Sequence, residues 1–369
     1  MKYYQRELDI IKKANRFRQR KIYDKNLVDL ASNDYLGLAS NKKLLTNAYK
    51  KVLKEKYISP KASILVNGYS KIHQKFEQKL CKLNKFEAGI VVGSGFLANI
   101  ALIESLVRKK DILFIDEDYH ASGILATKLT QGLVAVFKHN DLNDLESKIK
   151  QHKHQNTNRI IIAIEGVYSM GGDIAQKGFN AIANRYNAIL LVDEAHSSGV
   201  IGKNLLGWFD YHSIKPQPNH IKMGTLGKAY GSYGAYILSS KNIISFLENR
   251  AKAIIYTTAP SLFDIALGIQ SLKYIIKHKK NISKKIKCYQ DIIKKDLDMN
   301  VDSLIVPIII NDNKKVLEIQ QKLINDGYIV GAIRQPTVSK AIIRLILKLD
   351  IKKKDIKKVI KNIKGLING

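Results

Sequence analysis

Between residues 88 and 192 the chain alternates short apolar runs with stretches of helical periodicity, and this rhythm constrains the fold more than any other feature. The apolar runs fall at 88–92, 112–115, 133–137, 160–164 and 188–192, and the intervening stretches 120–131, 141–153 and 177–187 suit helices. Continuous rather than alternating apolar runs mark strands buried on both faces, and strand–helix–strand repetition produces a parallel sheet covered by helices. Ligands of such sheets bind beyond the C-terminal ends of the strands. Polar residues collect at those ends: Asp116 to His120, Glu165 to Ser169 and Asp193 to His196.

Three pieces of local chemistry lie on this frame. First, the 88–92 strand leads through Gly93-Ser-Gly-Phe96 into a helix expected over 97–107. A glycine turn at a helix N-terminus offers free N–H groups and the positive dipole end to an anion. The turn matches neither GxGxxG nor GxxxxGK[ST], so it suits a single phosphate better than a dinucleotide or nucleoside triphosphate. Second, Asp193-Glu-Ala-His196 closes an apolar strand. Read as a helicase DEAH box it fails, because no Walker loop occurs, and a metal site would need further ligands that are not evident. Third, the run from His220 to Gly234 carries Lys228 among Gly224, Gly227, Gly231 and Gly234. Each interior glycine costs a helix about 1 kcal/mol, so the run reads as a turn. A lysine desolvated in such a turn becomes a nucleophilic amine; a solvated lysine in a glycine loop is the plainer alternative. Taken together, the carboxylate, the histidine, the phosphate turn, Thr225 and the lysine meet the requirements of pyridoxal phosphate, whose ring withdraws electrons only while its nitrogen is protonated.

At 369 residues the chain exceeds the size of one core, and two domains are expected. An N-terminal segment is expected over 1–37, a large α/β domain over 38–255 and a smaller α+β domain over 256–369. The N-terminal segment is basic and helix-compatible, with Arg16, Arg18 and Arg20, and the last domain contains strand-like 303–310, 328–332 and 342–347 between helices. His73 and Glu77, one helical turn apart, read as a surface pair. Formal net charge is +30, from 62 Lys and Arg against 32 Asp and Glu, but the lysines are dispersed and form no basic stripe with interleaved aromatics. This pattern reads as compositional drift, with neither nucleic acid nor membrane as a partner. The two cysteines, Cys81 and Cys288, and a start without an apolar leader point to a reducing cytoplasm.

The chain resembles the α-oxoamine synthases, pyridoxal-phosphate enzymes of fold type I, over nearly its whole length. The resemblance rests on Ser32-Asn-Asp-Tyr-Leu-Gly37, Gly68-Tyr-Ser70 with His73, Ser94-Gly-Phe96, His120-Ala-Ser122, Glu165-Gly-Val-Tyr-Ser-Met170, Asp193-Glu-Ala-His196 with Gly199, and Gly224-Thr-Leu-Gly-Lys228. Within the family, Ala332-Ile-Arg-Gln-Pro-Thr-Val338 points to the branch that serves biotin synthesis.

The resemblance implies an α/β, type I pyridoxal-phosphate transferase fold with a mostly parallel central sheet and a smaller α+β C-terminal domain. By the same resemblance, Lys228 carries the cofactor and moves protons, Asp193 pairs with the ring nitrogen, His196 and Ser169 sit near the phenolic oxygen, and His120 stacks on the ring. Gly95, Phe96 and Thr225 hold the phosphate, and Thr258 reaches that of a second subunit, which implies a homodimer. Arg344 clamps the amino-acid carboxylate, and Arg18, Asn33 and Thr337 complete the substrate set. The implied reaction condenses L-alanine with a pimeloyl thioester, carried by coenzyme A or a carrier protein, with loss of carbon dioxide. Two rivals remain. One is a sibling using another amino acid, such as 2-amino-3-ketobutyrate ligase or 5-aminolevulinate synthase. The other is a noncatalytic, basic nucleic-acid binder on the same fold.

Overall fold

The computed structural model describes residues 3–152 and 158–368. Met1 and Lys2, and Lys153 at the end of the expected 141–153 helix, lie outside the described residues. The strands among the described residues are β1 (Val28–Leu30), β2 (Ala88–Val92), β3 (Ile112–Asp116), β4 (Leu133–Phe137), β5 (Ile160–Glu165), β6 (Ile189–Asp193), β7 (His220–Thr225), β8 (Ala235–Ser239), β9 (Ile305–Ile309), β10 (Tyr328–Ile333) and β11 (Ile342–Ile346). The chain divides into two compact units. One comprises Leu36–Ser169 and Asp173–Lys284; the other comprises the chain up to Tyr35, Met170–Gly172 and the chain from Lys285. The division between Lys284 and Lys285 falls inside one helix, Leu262–Leu297, rather than at residue 255. A continuous helix presents no break in periodicity from which such a boundary is legible.

In the first unit seven strands form one sheet in the order β2-β8-β7-β6-β5-β3-β4. Strands β7, β6, β5, β3 and β4 run parallel, and β8 is antiparallel to both neighbours. Every residue of β3 is buried, as is all of β6 except Ile189, whereas the edge strand β4 exposes Leu133 and Val136. The apolar runs are thus continuous because the interior strands are covered on both faces. The helix Gly95–Leu106 buries Ala98, Ala101, Leu102, Ile103 and Leu106 in the core that also holds Ile115, Ala163, Leu191 and Ile237.

Two local expectations are corrected. The run from His220 to Gly234 is not a turn throughout, since its first six residues form β7. Gly224 is tolerated there because the Tyr236 ring occupies its side-chain position: an added Cβ would lie 2.3 Å from the ring. His73 and Glu77 are not a surface pair. His73 is fully buried, its Nε2 lying 2.8 Å from the Pro260 carbonyl oxygen, and Glu77 is 8% exposed and accepts from the Val91 N–H at 2.9 Å and from the Tyr69 hydroxyl. Lysines around a helix obscure the few positions that face inward.

The second unit is α+β. Its sheet has the order β1-β10-β11-β9, with β1 parallel to β10 and the other pairs antiparallel. It carries the helices Gln5–Lys13, Asn313–Asn325 and Lys353–Asn368. No helix among the described residues is long and apolar enough to cross a membrane.

Candidate active site

The parallel strands β3, β5, β6 and β7 are neighbours and end in Asp116, Glu165, Asp193 and Thr225. Register places Glu165 beside Asp193, and Asp193 beside Met223. Beyond these ends is a cavity of about 170 Å³ lined by Gly95, Phe96, Asn99, His120, Ser122, Glu165, Asp193, Ala195, His196, Met223, Thr225 and Lys228. A roomier cavity of about 390 Å³ lies near Tyr69, Glu77, Lys241 and Glu248. It lacks a glycine turn and is not at the strand ends, so its volume does not outweigh the chemistry of the smaller one.

Each wall has a local cause. Ser94 caps the helix Gly95–Leu106, its Oγ accepting from the Leu97 N–H at 3.2 Å, while its carbonyl accepts from the Ala98 N–H at 2.9 Å. The N–H groups of Gly95 and Phe96 belong to the first turn, which has no intrahelical acceptors. Gly95 packs against Thr225, at 3.8 Å from an added Cβ. The Thr225 hydroxyl donates to the Gly234 carbonyl at 3.0 Å and accepts from the Gly227 N–H at 3.2 Å, which shapes the turn carrying Lys228. Asp193 is 4% exposed, and its Oδ1 accepts from the Ala195 N–H at 2.9 Å.

The Lys228 Nζ lies 2.5 Å from His196 Nε2. Two cations cannot sit at that distance, so the pair carries at most one positive charge between them. His120 caps the helix Ala121–Thr127, its Nδ1 accepting from the Ser122 N–H at 3.2 Å and meeting the Ser122 Oγ at 2.7 Å. Burial holds the His120 imidazole below its ordinary pKa; Asp193 opposes this and Lys228 reinforces it. Burial, then the charge of Asp193, pushes the Glu165 carboxyl well above the usual carboxylate range, although its Oε2 accepts from the Ser169 N–H at 2.9 Å.

Of the residues singled out in the sequence, Gly95, Phe96, His120, Asp193, His196, Thr225 and Lys228 converge on this one cavity. Ser169 is buried beside it, behind Glu165, and does not line it. Thr258 is exposed in the segment before the helix Leu262–Leu297 and does not line it either. Arg18, Asn33, Thr337 and Arg344 belong to the other unit. There Arg344, on β11 and 5% exposed, donates from Nη1 to Asn33 Oδ1 at 3.0 Å. Arg18 donates to Thr337 Oγ1 at 3.2 Å, whereas Arg16 reaches Gln335 Oε1. Sequence reasoning assigned no role to Asn99, Glu165 or Ser122, which line the cavity. Asn99 is visible as the one polar residue among the apolar residues 96–103, although nothing local shows what it binds.

Residues 25–363 match the family described as aminotransferase class I and II. The chain is 44% identical over 357 residues to the 8-amino-7-oxononanoate synthase of Helicobacter pylori (strain J99 / ATCC 700824), covering 96% of this chain and 95% of that one. It is 37% identical to the putative 8-amino-7-oxononanoate synthase of Aquifex aeolicus (strain VF5), covering 96% of each. Among solved structures, the 8-amino-7-oxononanoate synthase of Francisella tularensis superposes with a TM-score of 0.74 at 27% identity, covering 94% of this chain and 99% of that one. Serine palmitoyltransferase from S. paucimobilis superposes with a TM-score of 0.89 at 21% identity, covering 99% and 96%, a likeness of fold.

Proposed function

This chain belongs to the aminotransferase class I and II family, and from that premise we propose that it is a pyridoxal-phosphate enzyme that condenses L-alanine with a pimeloyl thioester to give 8-amino-7-oxononanoate, a step of biotin biosynthesis. The observation that carries the proposal is the convergence of Lys228, His196, Asp193 and His120 with a helix N-terminus on one cavity at the ends of parallel strands. The branch is supported by relatives of that name at up to 44% identity over nearly the full chain.

The residues fit the cofactor. The first-turn N–H groups of Gly95 and Phe96, beside Thr225, suit one phosphate. The buried Asp193 suits a protonated ring nitrogen, and the neutral His120 offers a flat wall without competing charge. Pyridoxal phosphate, when bound, supplies an electron sink for negative charge at the amino acid's α-carbon. Asp193, buried in the cavity wall, would keep that sink effective by holding the ring nitrogen protonated. His196, in the cavity wall, would face the phenolic oxygen, with Ser169 buried behind that wall, and Lys228 would anchor the group. The Lys228 amine takes the α-proton of alanine. It returns a proton to the same carbon after the new carbon–carbon bond has formed and the thiol and carbon dioxide have left. His196, 2.5 Å from that amine, would share a proton with it.

Arg344, aimed by Asn33, binds the alanine carboxylate, a task that suits a planar guanidinium. Arg18 with Thr337 meets the acyl chain. The enzyme works as a cytoplasmic homodimer in which Thr258 reaches the partner's phosphate. Thr258 is exposed, as that contact requires, and Cys81 and Cys288, both free thiols, suit a reducing compartment.

The test is to incubate the purified protein with alanine, glycine or serine, each with pimeloyl, acetyl, succinyl and palmitoyl thioesters. Thiol and carbon dioxide are expected from alanine with the pimeloyl thioester. Preference for glycine or serine would assign a sibling reaction, and no turnover with any pair would reject the enzymatic reading.

A further inference from the structure

Asn99 lies in the helix Gly95–Leu106, is 1% exposed and is flanked by the buried Ala98, Ala101 and Leu102. A buried amide must place both its oxygen and its two N–H groups against partners. Here the Oδ1 accepts from the Tyr119 hydroxyl at 2.9 Å, and the Nδ2 donates to Asp193 Oδ2 at 2.8 Å and to Ser122 Oγ at 2.9 Å. Only this orientation works, because a flipped amide would set its oxygen against the Asp193 carboxylate, acceptor against acceptor. Burial, then Asp193 and Glu165, hold the Tyr119 phenol well above its ordinary range, so it stays a donor to the amide.

The direction of each proton follows. The Ser122 hydroxyl, having accepted from Asn99, has its own hydrogen left for His120 Nδ1 at 2.7 Å, and the Ser122 N–H points at the same nitrogen. His120 Nδ1 is thereby the acceptor, and a neutral His120 carries its proton on Nε2. We propose that Asn99 is a positioning residue. One buried amide, aimed by Tyr119, orients the Asp193 carboxylate and, through Ser122, fixes the ring and tautomer of His120. Two side chains from different strand ends thus share a single reference point on the helix whose N-terminus faces the same cavity. This inference deepens the proposed function and rests on its assignment of Asp193 and His120 to the cofactor.

The test strips wild-type protein and the variants Asn99→Ala, Tyr119→Phe, Asp193→Asn and Asn99→Ala/Asp193→Asn of cofactor and titrates each with pyridoxal phosphate. Visible absorbance gives the dissociation constant, and visible circular dichroism reports the orientation of the bound ring. Asn99→Ala is expected to weaken binding about 10- to 100-fold, the size of one hydrogen bond to a charged group, and to change the dichroic band at saturation. The Asn99→Ala/Asp193→Asn variant should lose less than the product of its single losses, because Asn99 acts through Asp193. Melting of the cofactor-free proteins separates loss of fold from loss of orientation. If Asn99→Ala does not fold, Tyr119→Phe, which removes one hydroxyl, is expected to move the dichroic band and weaken binding several-fold. Unchanged affinity and dichroism in the folded variant, or fully multiplicative losses, would overturn the proposal while leaving the cofactor reading intact. Failure of the wild type to bind pyridoxal phosphate would overturn the cofactor reading itself.

Discussion

Replacing Lys222 by Met tests whether the turn that carries Asp193 and His196 is held from behind by a buried ion pair. Lys222 is 1% exposed on β7, its Nζ donates to the Leu206 carbonyl, and it lies 3.3 Å from Oε1 of the fully buried Glu194. Glu194 also accepts from Ser197 Oγ at 2.6 Å, from the Trp208 N–H at 2.5 Å and from the Phe209 N–H at 3.4 Å. Burial lowers the Lys222 pKa despite the opposing pull of Glu194, so the attraction does not fully offset the desolvation. Such a pair adds little stability compared with an apolar pair, yet breaking it strands a buried charge at a cost of about 3–5 kcal/mol. Met fills most of the lysine stem, so the cavity contribution is small. The donors left to Glu194 place the loss near the lower end, at about 3 kcal/mol. With unfolding entropy near 2.1 cal/mol/K per residue, 369 residues give about 0.8 kcal/mol/K, and Tm should fall by about 4 °C if the chain unfolds as one. Chemical denaturation of Lys222→Met, Glu194→Gln and the double variant measures the coupling. The double variant should lose at least about 1 kcal/mol less than the sum of the singles. Additive losses, or a loss below about 1 kcal/mol in Lys222→Met, would refute the argument.

Lys228→Ala should lose the visible band of covalently held cofactor while still binding it noncovalently; an unchanged spectrum would remove Lys228 from its assigned place. Arg18→Ala should raise KM for the pimeloyl thioester about tenfold and leave alanine binding unaltered, as expected when a uniform binding contact is lost, with smaller effects for Arg16→Ala and Arg20→Ala. Equal effects on both substrates would assign the N-terminal arginines a structural role. His139 tests pH dependence. Burial lowers its pKa, but hydrogen bonds to Asp116 and Asp173, at 3.1 Å each, outweigh this and push it to about 10. A folded-state pKa above the unfolded value means that this stabilisation is fully present below about pH 6.5 and is lost as pH rises towards 10. Urea midpoints of His139→Asn should therefore lie closest to wild type at high pH, and a constant difference from pH 6 to 10 would show that the imidazolium contributes nothing.

Much of the site was legible because each piece has a local cause. Gly93-Ser-Gly-Phe96 reads as a strand-to-helix turn because glycine and a capping serine stop one element and start another. Asp193 and His196 are visible as polar residues at the end of an apolar run. The role of Asn99 was not legible, since its partners Tyr119, Ser122 and Asp193 are distant in sequence. The burial of His73 and Glu77 was not legible either, because the Pro260 carbonyl beside His73 is remote in the chain and the Val91 N–H that donates to Glu77 belongs to the next strand. The pairing of Arg18 rather than Arg16 with Thr337 is likewise a contact across more than three hundred residues.

The sequence by itself determined the alternation of strands and helices, the placement of polar residues at strand ends, the glycine turn and the lysine that follows β7. These depend on periodicity and on backbone preferences that act over a few residues. Only the tertiary structure decided the strand order, including antiparallel β8 between β2 and β7, because interior strands buried on both faces look alike in sequence. It also decided that Gly224 lies in a strand under Tyr236, that the unit boundary falls inside a helix, and that one amide donates to both Asp193 and Ser122. Those outcomes come from close packing and from the need to pair every buried polar group, and both are settled by residues brought together from distant parts of the chain.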